Sequence, residues 1–263
     1  MTRGTGSYTP HLKIERASRP RAPWVVFSNS LAADLSMWDG QVETLRQAFN
    51  ILRYDNRGHG GSATAPLPCT LDDLVDDALA AMDTAGIEQA DFVGISLGGM
   101  VGLGLSLRAP HRLKRLLCCG ARADMPAAAI AIWDQRIAAV RRDGLDAVAD
   151  DTIGRWLAPA FRARFPDRVA RVRRMICATS VAGYAGCVEA IKSLAYLERL
   201  SAIGVPTLYA TGELDPSATP DLVRDMAART PGAAVEIIAG AAHLPNIDSA
   251  AAFDALLRRH LES

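Results

Sequence analysis

Short apolar runs separated by stretches of helical periodicity recur along most of this 263-residue chain, and that rhythm leaves few folds open. Trp24-Val25-Val26-Phe27 is followed by a polar turn and then by Gln41 to Phe49, and Ile51-Leu52-Arg53-Tyr54 leads into the glycine-rich Arg57-Gly58-His59-Gly60-Gly61. Leu71, Leu74, Val75, Ala78, Leu79 and Met82 fall at helical spacing ahead of the strand-like Phe92-Val93-Gly94-Ile95. A helix over Gly98 to Leu107, a strand within Leu113 to Cys119, and strands at Pro206 to Ala210 and Val235 to Ile238 continue the series. A parallel connection must return across one face of the sheet, so strands joined by crossover helices form a sheet covered on both sides. The prediction is an α/β fold, with a mostly parallel central sheet flanked by helices.

The rhythm breaks once. From residue 122 to 200 the chain is rich in Arg and Ala, and its helical patterns run over Ile130 to Val140, Asp146 to Trp156 and Asp167 to Ala178 with no strand among them. This segment reads as a helical cap inserted into a core made of residues 1–121 and 201–263. Such a cap shapes a pocket above the strand ends.

Composition excludes several functions. Lys+Arg and Asp+Glu number 29 each, so the formal net charge is zero. A nucleic-acid binder that works by bulk charge needs a basic excess, and none exists. No run approaches the length of a membrane span, and the Gly/Thr/Ser-rich start, Met1 to Pro10, lacks the apolar stretch of a secretory signal. The five cysteines, Cys69, Cys118, Cys119, Cys177 and Cys187, form no C-x-x-C pair and have no histidine at zinc spacing. They read as reduced thiols of a cytoplasmic protein, with Cys118 and Cys119 acting as small hydrophobes in an apolar run. Neither a metal nor an organic cofactor is expected, and the partner is a small molecule rather than a nucleic acid or a membrane; the protein is a monomer or a homo-oligomer.

The chemistry concentrates at Gly94-Ile95-Ser96-Leu97-Gly98-Gly99, where a strand turns into a helix. This is the G-x-S-x-G nucleophile elbow, a sharp turn that presents the serine Oγ and needs glycine neighbours so that strand and helix can approach. A serine hydroxyl requires a base, and the base requires a carboxylate to fix its tautomer. Five histidines are available. His11, His111 and His260 read as surface residues, while His59 is the rival to His243, which follows the last strand on a loop that reaches the edge where Ser96 emerges. For the acid, Asp215 in Gly212-Glu213-Leu214-Asp215 is preferred, with Glu213 in reserve and Asp124 as a second rival. The order Ser, acid, His is that of a strand-turn-helix hydrolase. An oxyanion hole needs two preorganised N–H donors. The backbone of Leu97, directly after the nucleophile, is one; the backbone of Leu31, in the loop Ser28-Asn29-Ser30-Leu31, is the other.

Over nearly its whole length the chain resembles the α/β-hydrolase superfamily, and within it the 3-oxoadipate enol-lactonases. The likeness is carried by Ser28-Asn29-Ser30-Leu31 with Asp34-Leu35-Ser36-Met37-Trp38-Asp39, by Arg53 to Gly60, by Gly94 to Met100, by Gly183-Tyr184-Ala185-Gly186-Cys187, and by Ala242-His243-Leu244-Pro245-Asn246-Ile247. The resemblance implies a structural role for Asp55-x-Arg57-Gly58-His59-Gly60, which lowers His59 as a base. Two features depart from the family pattern: Tyr196 stands where an acidic residue is usual, and Gly212 to Pro220 is about one residue longer.

The implied reaction is attack of Ser96 on an enol-lactone carbonyl, with His243 as base and Asp215 behind it, to open 3-oxoadipate enol-lactone to 3-oxoadipate in aromatic catabolism. The lactone carries a free carboxylate, so the pocket should offer a cation. Trp133 and Arg136, three residues apart on one helix, share a face and suit that role. A carboxylesterase or another lactonase on the same scaffold is the runner-up, followed by a carbon–carbon bond hydrolase and a ligand receptor without turnover. A haloalkane dehalogenase is disfavoured by serine at position 96. From Arg122 to Arg174 there are 11 Arg against 7 Asp, so the zero net charge conceals a basic cap suited to an anionic substrate.

Overall fold

In a computed structural model, which describes residues 8–64 and 68–262, the chain forms a sheet covered by helices. The Gly/Thr/Ser-rich start of the sequence through residue 7 lies outside the described residues. The core elements in chain order are β1 (Leu12–Glu15), β2 (Trp24–Ser28), α1 (Asp39–Leu45), β3 (Asn50–Tyr54), α2 (Leu71–Thr84), β4 (Ala90–Ile95), α3 (Leu97–Arg108) and β5 (Leu113–Cys119). Five helices follow before the sheet resumes: α4 (Ala127–Asp143), α5 (Asp146–Trp156), α6 (Pro159–Arg164), α7 (Pro166–Cys177) and α8 (Val181–Lys192). The chain then returns through β6 (Thr207–Gly212), α9 (Pro220–Arg229), β7 (Ala234–Ile238), the short α10 (Pro245–Asp248) and α11 (Ala250–Glu262).

The seven strands lie in the order β1-β3-β2-β4-β5-β6-β7, and every pairing is parallel except β1 with β3. β1 is not marked by the apolar alternation: its Leu-Lys-Ile-Glu carries two charges and sits half-buried at the edge. Central strands follow the opposite rule. All six residues of β4 are buried, because helices cover both faces and β2 and β5 take its two edges. α2 starts where Thr70 and Asp73 form a reciprocal capping box, and it buries Leu71, Leu74, Val75, Ala78 and Met82 against the sheet.

The acidic stretch Leu71 to Asp91 is more deeply engaged than a solvated helix face. Asp77 is buried and takes both Nε and Nη2 of Arg57, and Asp91 is buried against Arg115. Asp72 and Asp76 pair with Arg108, and Asp83 pairs with Arg112. These arginines come from α3, from the turn after it and from other core segments, so the stretch is a charged seam rather than a free surface. Burial raises the Asp77 carboxyl against the pull of Arg57. Among the described residues no helix is long and apolar enough to cross a membrane.

The helices α4 to α8 rest on the carboxyl edge of the sheet. Gly58 and Gly183 bring backbones together there: a Cβ on Gly58 would lie 2.5 Å from Gly183 Cα, and Gly58 has φ +68°. The N–H of Ser180 donates to the Gly58 carbonyl at 3.0 Å across the same contact. Cys69, Cys118, Cys119 and Cys187 are buried free thiols; burial pushes Cys118 and Cys119 upward in pKa, and the contact with the Cys69 thiol, with burial behind it, raises Cys187.

Candidate active site

Ser96 sits between β4 and α3 at φ 56°, ψ −114°, a left-handed conformation that a non-glycine residue holds only when its surroundings enforce it. The enforcement is visible. Ser96 N–H donates to the Cys119 carbonyl at 2.8 Å, while Gly94 and Gly98 pack so tightly that a Cβ on either would collide with the backbone of Gly98 or Ser28. The serine is half-buried at the floor of a cavity. Leu97 is the first residue of α3, and its N–H has no intrahelical acceptor.

The loop after β2 is fixed by buried polar contacts. Asn29 donates from Nδ2 to the Tyr54 carbonyl at 2.8 Å and accepts from Trp38 Nε1 at 2.9 Å, and Ser28 Oγ lies 2.7 Å from Tyr54 OH. Ala32, at φ 58°, donates its N–H to His59 Nε2 at 2.9 Å. Leu31, one residue earlier, lines the cavity beside Ser30, Ala32 and Ser96. His59 is fully buried, and its Nδ1 donates to the Arg57 carbonyl at 2.8 Å; both ring nitrogens are thereby occupied, so it is a structural group. Desolvation holds its pKa below the ordinary histidine value.

His243 lies on the loop between β7 and α10 and lines the same cavity as Ser96. Its Nδ1 is 2.8 Å from Asp215 Oδ2, and both side chains are buried. With Nδ1 donating to the carboxylate, Nε2 carries the lone pair of a base. Asp215 Oδ1 accepts the N–H groups of Ser217 and Ala218 at 2.7 and 3.2 Å, and Thr211 Oγ1 reaches Oδ2 at 3.2 Å. Burial alone would raise this carboxyl, but the charge and hydrogen bond of His243, with the two N–H groups, outweigh it and hold Asp215 below the usual carboxylate value.

The other carboxylates are occupied elsewhere. Glu213 accepts the N–H of Gly240 at 2.8 Å, and Asp124 takes Arg122 and bridges to Ala195. Of the remaining histidines, His111 is exposed and His11 is half exposed with Nδ1 at 2.7 Å from Asp55 Oδ2. His260 departs from expectation: instead of lying on the surface it is half-buried, and burial with the nearby Arg115 pushes it down to about 4.

The cavity holds about 300 Å³, small for a ligand pocket. α4 contributes Ala129, Ile132, Trp133 and Arg136, a helical stripe, and α5 contributes Thr152, Arg155 and Trp156. Trp133 and Arg136 thus face the cavity together, with the guanidinium 5.0 Å from the indole centroid. Burial and the positive charge of Arg155 pull Arg136 below its ordinary value, and its acidic contact, Asp151 at 3.5 Å, is shared with Arg155 at 3.3 Å. Arg122 also lines the cavity, but it is satisfied by the Asp124 carbonyl at 2.6 Å. The sequence reading passed over Arg155 and Arg122; the usable signal for Arg155 was a charged residue on the same helical stripe as Thr152 and Trp156. Tyr196 stands apart from the cavity: its N–H donates to the Ala123 carbonyl at 2.7 Å, and its hydroxyl packs beside Gly104 of α3. Among the described residues no group of three or more His, Cys, Asp or Glu is arranged to hold a metal ion.

Residues 23–250 match the alpha/beta hydrolase fold family, and the chain belongs to it. It is a hydrolase. The 3-oxoadipate enol-lactonase 2 of Acinetobacter baylyi is 32% identical over 88% of this chain and 86% of its own length. The crystal structure of the enol-lactonase from Burkholderia xenovorans LB400 superposes with a TM-score of 0.92 at 36% identity, covering 96% of each chain. RutD of Agrobacterium fabrum, a relative named for carbamate hydrolysis, is 27% identical over 78% of this chain and 80% of its own length.

Proposed function

We propose that this hydrolase opens a small carboxylated enol-lactone, 3-oxoadipate enol-lactone, to 3-oxoadipate, a step in aromatic catabolism. The observation that carries the reading is a buried Asp215–His243 pair whose histidine lines one small cavity with Ser96 and with two arginines that share a single carboxylate. His243 Nε2 takes the Ser96 proton as Oγ attacks the lactone carbonyl, and the N–H groups of Leu31 and Leu97 hold the oxyanion. The ring C–O bond then breaks. The leaving enolate remains tethered to the acyl chain and is protonated to the ketone, after which water activated by His243 releases the acid from Ser96. Trp133 packs on the substrate and Arg136 pairs with its free carboxylate. The five free thiols suit a cytoplasmic setting.

The likeness to RutD and to the wider fold family favours one other reading, a hydrolase of neutral esters or other acyl compounds on the same scaffold. Comparing kcat/KM on 3-oxoadipate enol-lactone with that on a panel of simple esters and carbamates separates them. The lactone is expected to exceed every other compound by at least about a hundredfold. In the same assay Ser96→Ala gives no acyl-enzyme burst with an activated ester; turnover near wild type would overturn the serine mechanism.

A further inference from the structure

Asp248, at the end of α10, uses one carboxylate oxygen to join two parts of the molecule. Its Oδ2 accepts the N–H of Ala242, the residue before His243, at 2.9 Å, and the N–H of Ala158, in the segment between α5 and α6, also at 2.9 Å. On the other side of His243, the N–H of Leu244 donates to the Trp156 carbonyl at 3.0 Å. Both neighbours of the histidine are therefore tied, directly or through Asp248, to the segment Trp156-Leu157-Ala158. The first residue of that segment lines the cavity through its side chain.

The arrangement is an expensive one to keep. Asp248 Oδ1 is buried without a hydrogen-bond partner among the described residues. Desolvation raises the pKa of the carboxyl, the Ala242 and Ala158 N–H groups oppose that shift, and the charge of Asp215 adds to it. A residue that only filled space here would do so at lower cost as an uncharged side chain.

We propose that Asp248 is a positioning residue: it latches the cap segment 156–158 to the loop of His243, so that the wall of the cavity and the catalytic base are set as one unit. The proposal rests on the reading of Ser96, His243 and Asp215 as the reacting triad. Without the latch, the Ala242 peptide loses its acceptor and the histidine samples orientations unproductive for Ser96, which lowers kcat more than it raises KM.

The test uses the full chain and p-nitrophenyl acetate, a neutral substrate that makes no demand on the cationic wall. Asp248→Ala is expected to lower kcat and the burst rate at least tenfold with KM within twofold. Asp248→Asn keeps one oxygen able to accept both N–H groups and is expected to return kcat to within threefold of wild type. Ala158→Pro removes the cap donor and sets a ring carbon against the Asp248 carboxylate, breaking the latch at a backbone suited to proline, since φ is −55° there and −123° at the preceding Leu157. A threefold to tenfold loss of kcat is expected from it. Val223→Ala, buried on α9 away from the cavity, lowers stability without touching kcat and so separates loss of position from loss of fold.

Wild-type kcat in Asp248→Ala or in Ala158→Pro overturns the latch, as does an Asp248→Asn variant no better than the alanine. Should Asp248→Ala fail to fold, the asparagine and proline variants still decide the matter. Ser96→Ala measured alongside distinguishes the two levels: an inactive Ser96→Ala with a fully active Asp248→Ala sinks the latch alone, whereas an active Ser96→Ala sinks the triad and the latch with it.

Discussion

Arg136 is the residue whose surroundings ask most plainly for an anion. It is partly removed from water, faces a second guanidinium, and shares a largely exposed Asp151 with it at the long end of ion-pair distance. A bound carboxylate relieves both the desolvation and the repulsion. Replacing Arg136 by Met preserves the apolar stem that packs on Trp133 and removes the charge. One lost charge-assisted bond is worth about 1.5–3 kcal/mol, so KM for the carboxylated lactone is expected to rise at least about tenfold, with KM for neutral esters held within twofold. Steady-state kinetics on the two substrate types checks this, and equal shifts on both would refute the assignment. Spacing alone put Trp133 and Arg136 on one face; that Arg155 on a separate helix meets them was beyond any local pattern.

The strand-turn-helix from β4 through α3 works as a single device. Gly98 must lie against the Ser28 backbone for Ser96 to stand in its left-handed turn, and that contact also holds the start of the Leu31 loop. A Cβ at this point meets a backbone carbonyl rather than a yielding side chain. Gly98→Ala is therefore expected to cost about 3 kcal/mol, the upper part of the usual range for overpacking, and to depress kcat as well, since β2 or α3 must shift. Urea denaturation and a burst assay read the two effects separately. The helical segment from α4 to α8 is a second device at this scale. Its long helices α4, α5 and α7 were legible because each keeps a helical stripe for a whole turn or more, whereas α6 is only six residues long and β1 only four, too short for periodicity to stand out.

At the scale of the whole molecule, acid sensitivity traces to two histidines other than His243. His59, fully buried, and His260, on α11, both have folded pKa values below the ordinary one, near 4 for His260. Each binds its proton more readily in the unfolded chain. Their contribution is thus complete above about pH 6.5, the ordinary histidine value, and is lost as pH falls from there toward the folded value. The loss is at most about 1.4 kcal/mol per pH unit for each group. Asp215 takes no part in this window: a depressed carboxyl keeps its contribution until pH drops below about 4. Urea midpoints measured from pH 8 to pH 5 are expected to decline below pH 6.5, and His260→Gln should flatten the slope. An unchanged slope in that variant would assign the sensitivity to His59 alone.

What the sequence determined by itself is whatever depends on neighbours along the chain. The strand rhythm, the glycines around Ser96 and the stripe holding Trp133 and Arg136 are local patterns, and local sterics and periodicity write them directly into the residue order. Tertiary structure decided what depends on distance in space. It set Asp215, rather than Glu213 or Asp124, 2.8 Å from His243, turned His260 of the last helix partly inward, and made an acidic helix face into a seam of arginine pairs. It also brought Asp248 to Ala158, 90 residues away, a contact with no trace in any single segment. Such choices rest on desolvation and on hydrogen-bond geometry, and both exist only once the chain has closed around the groups concerned.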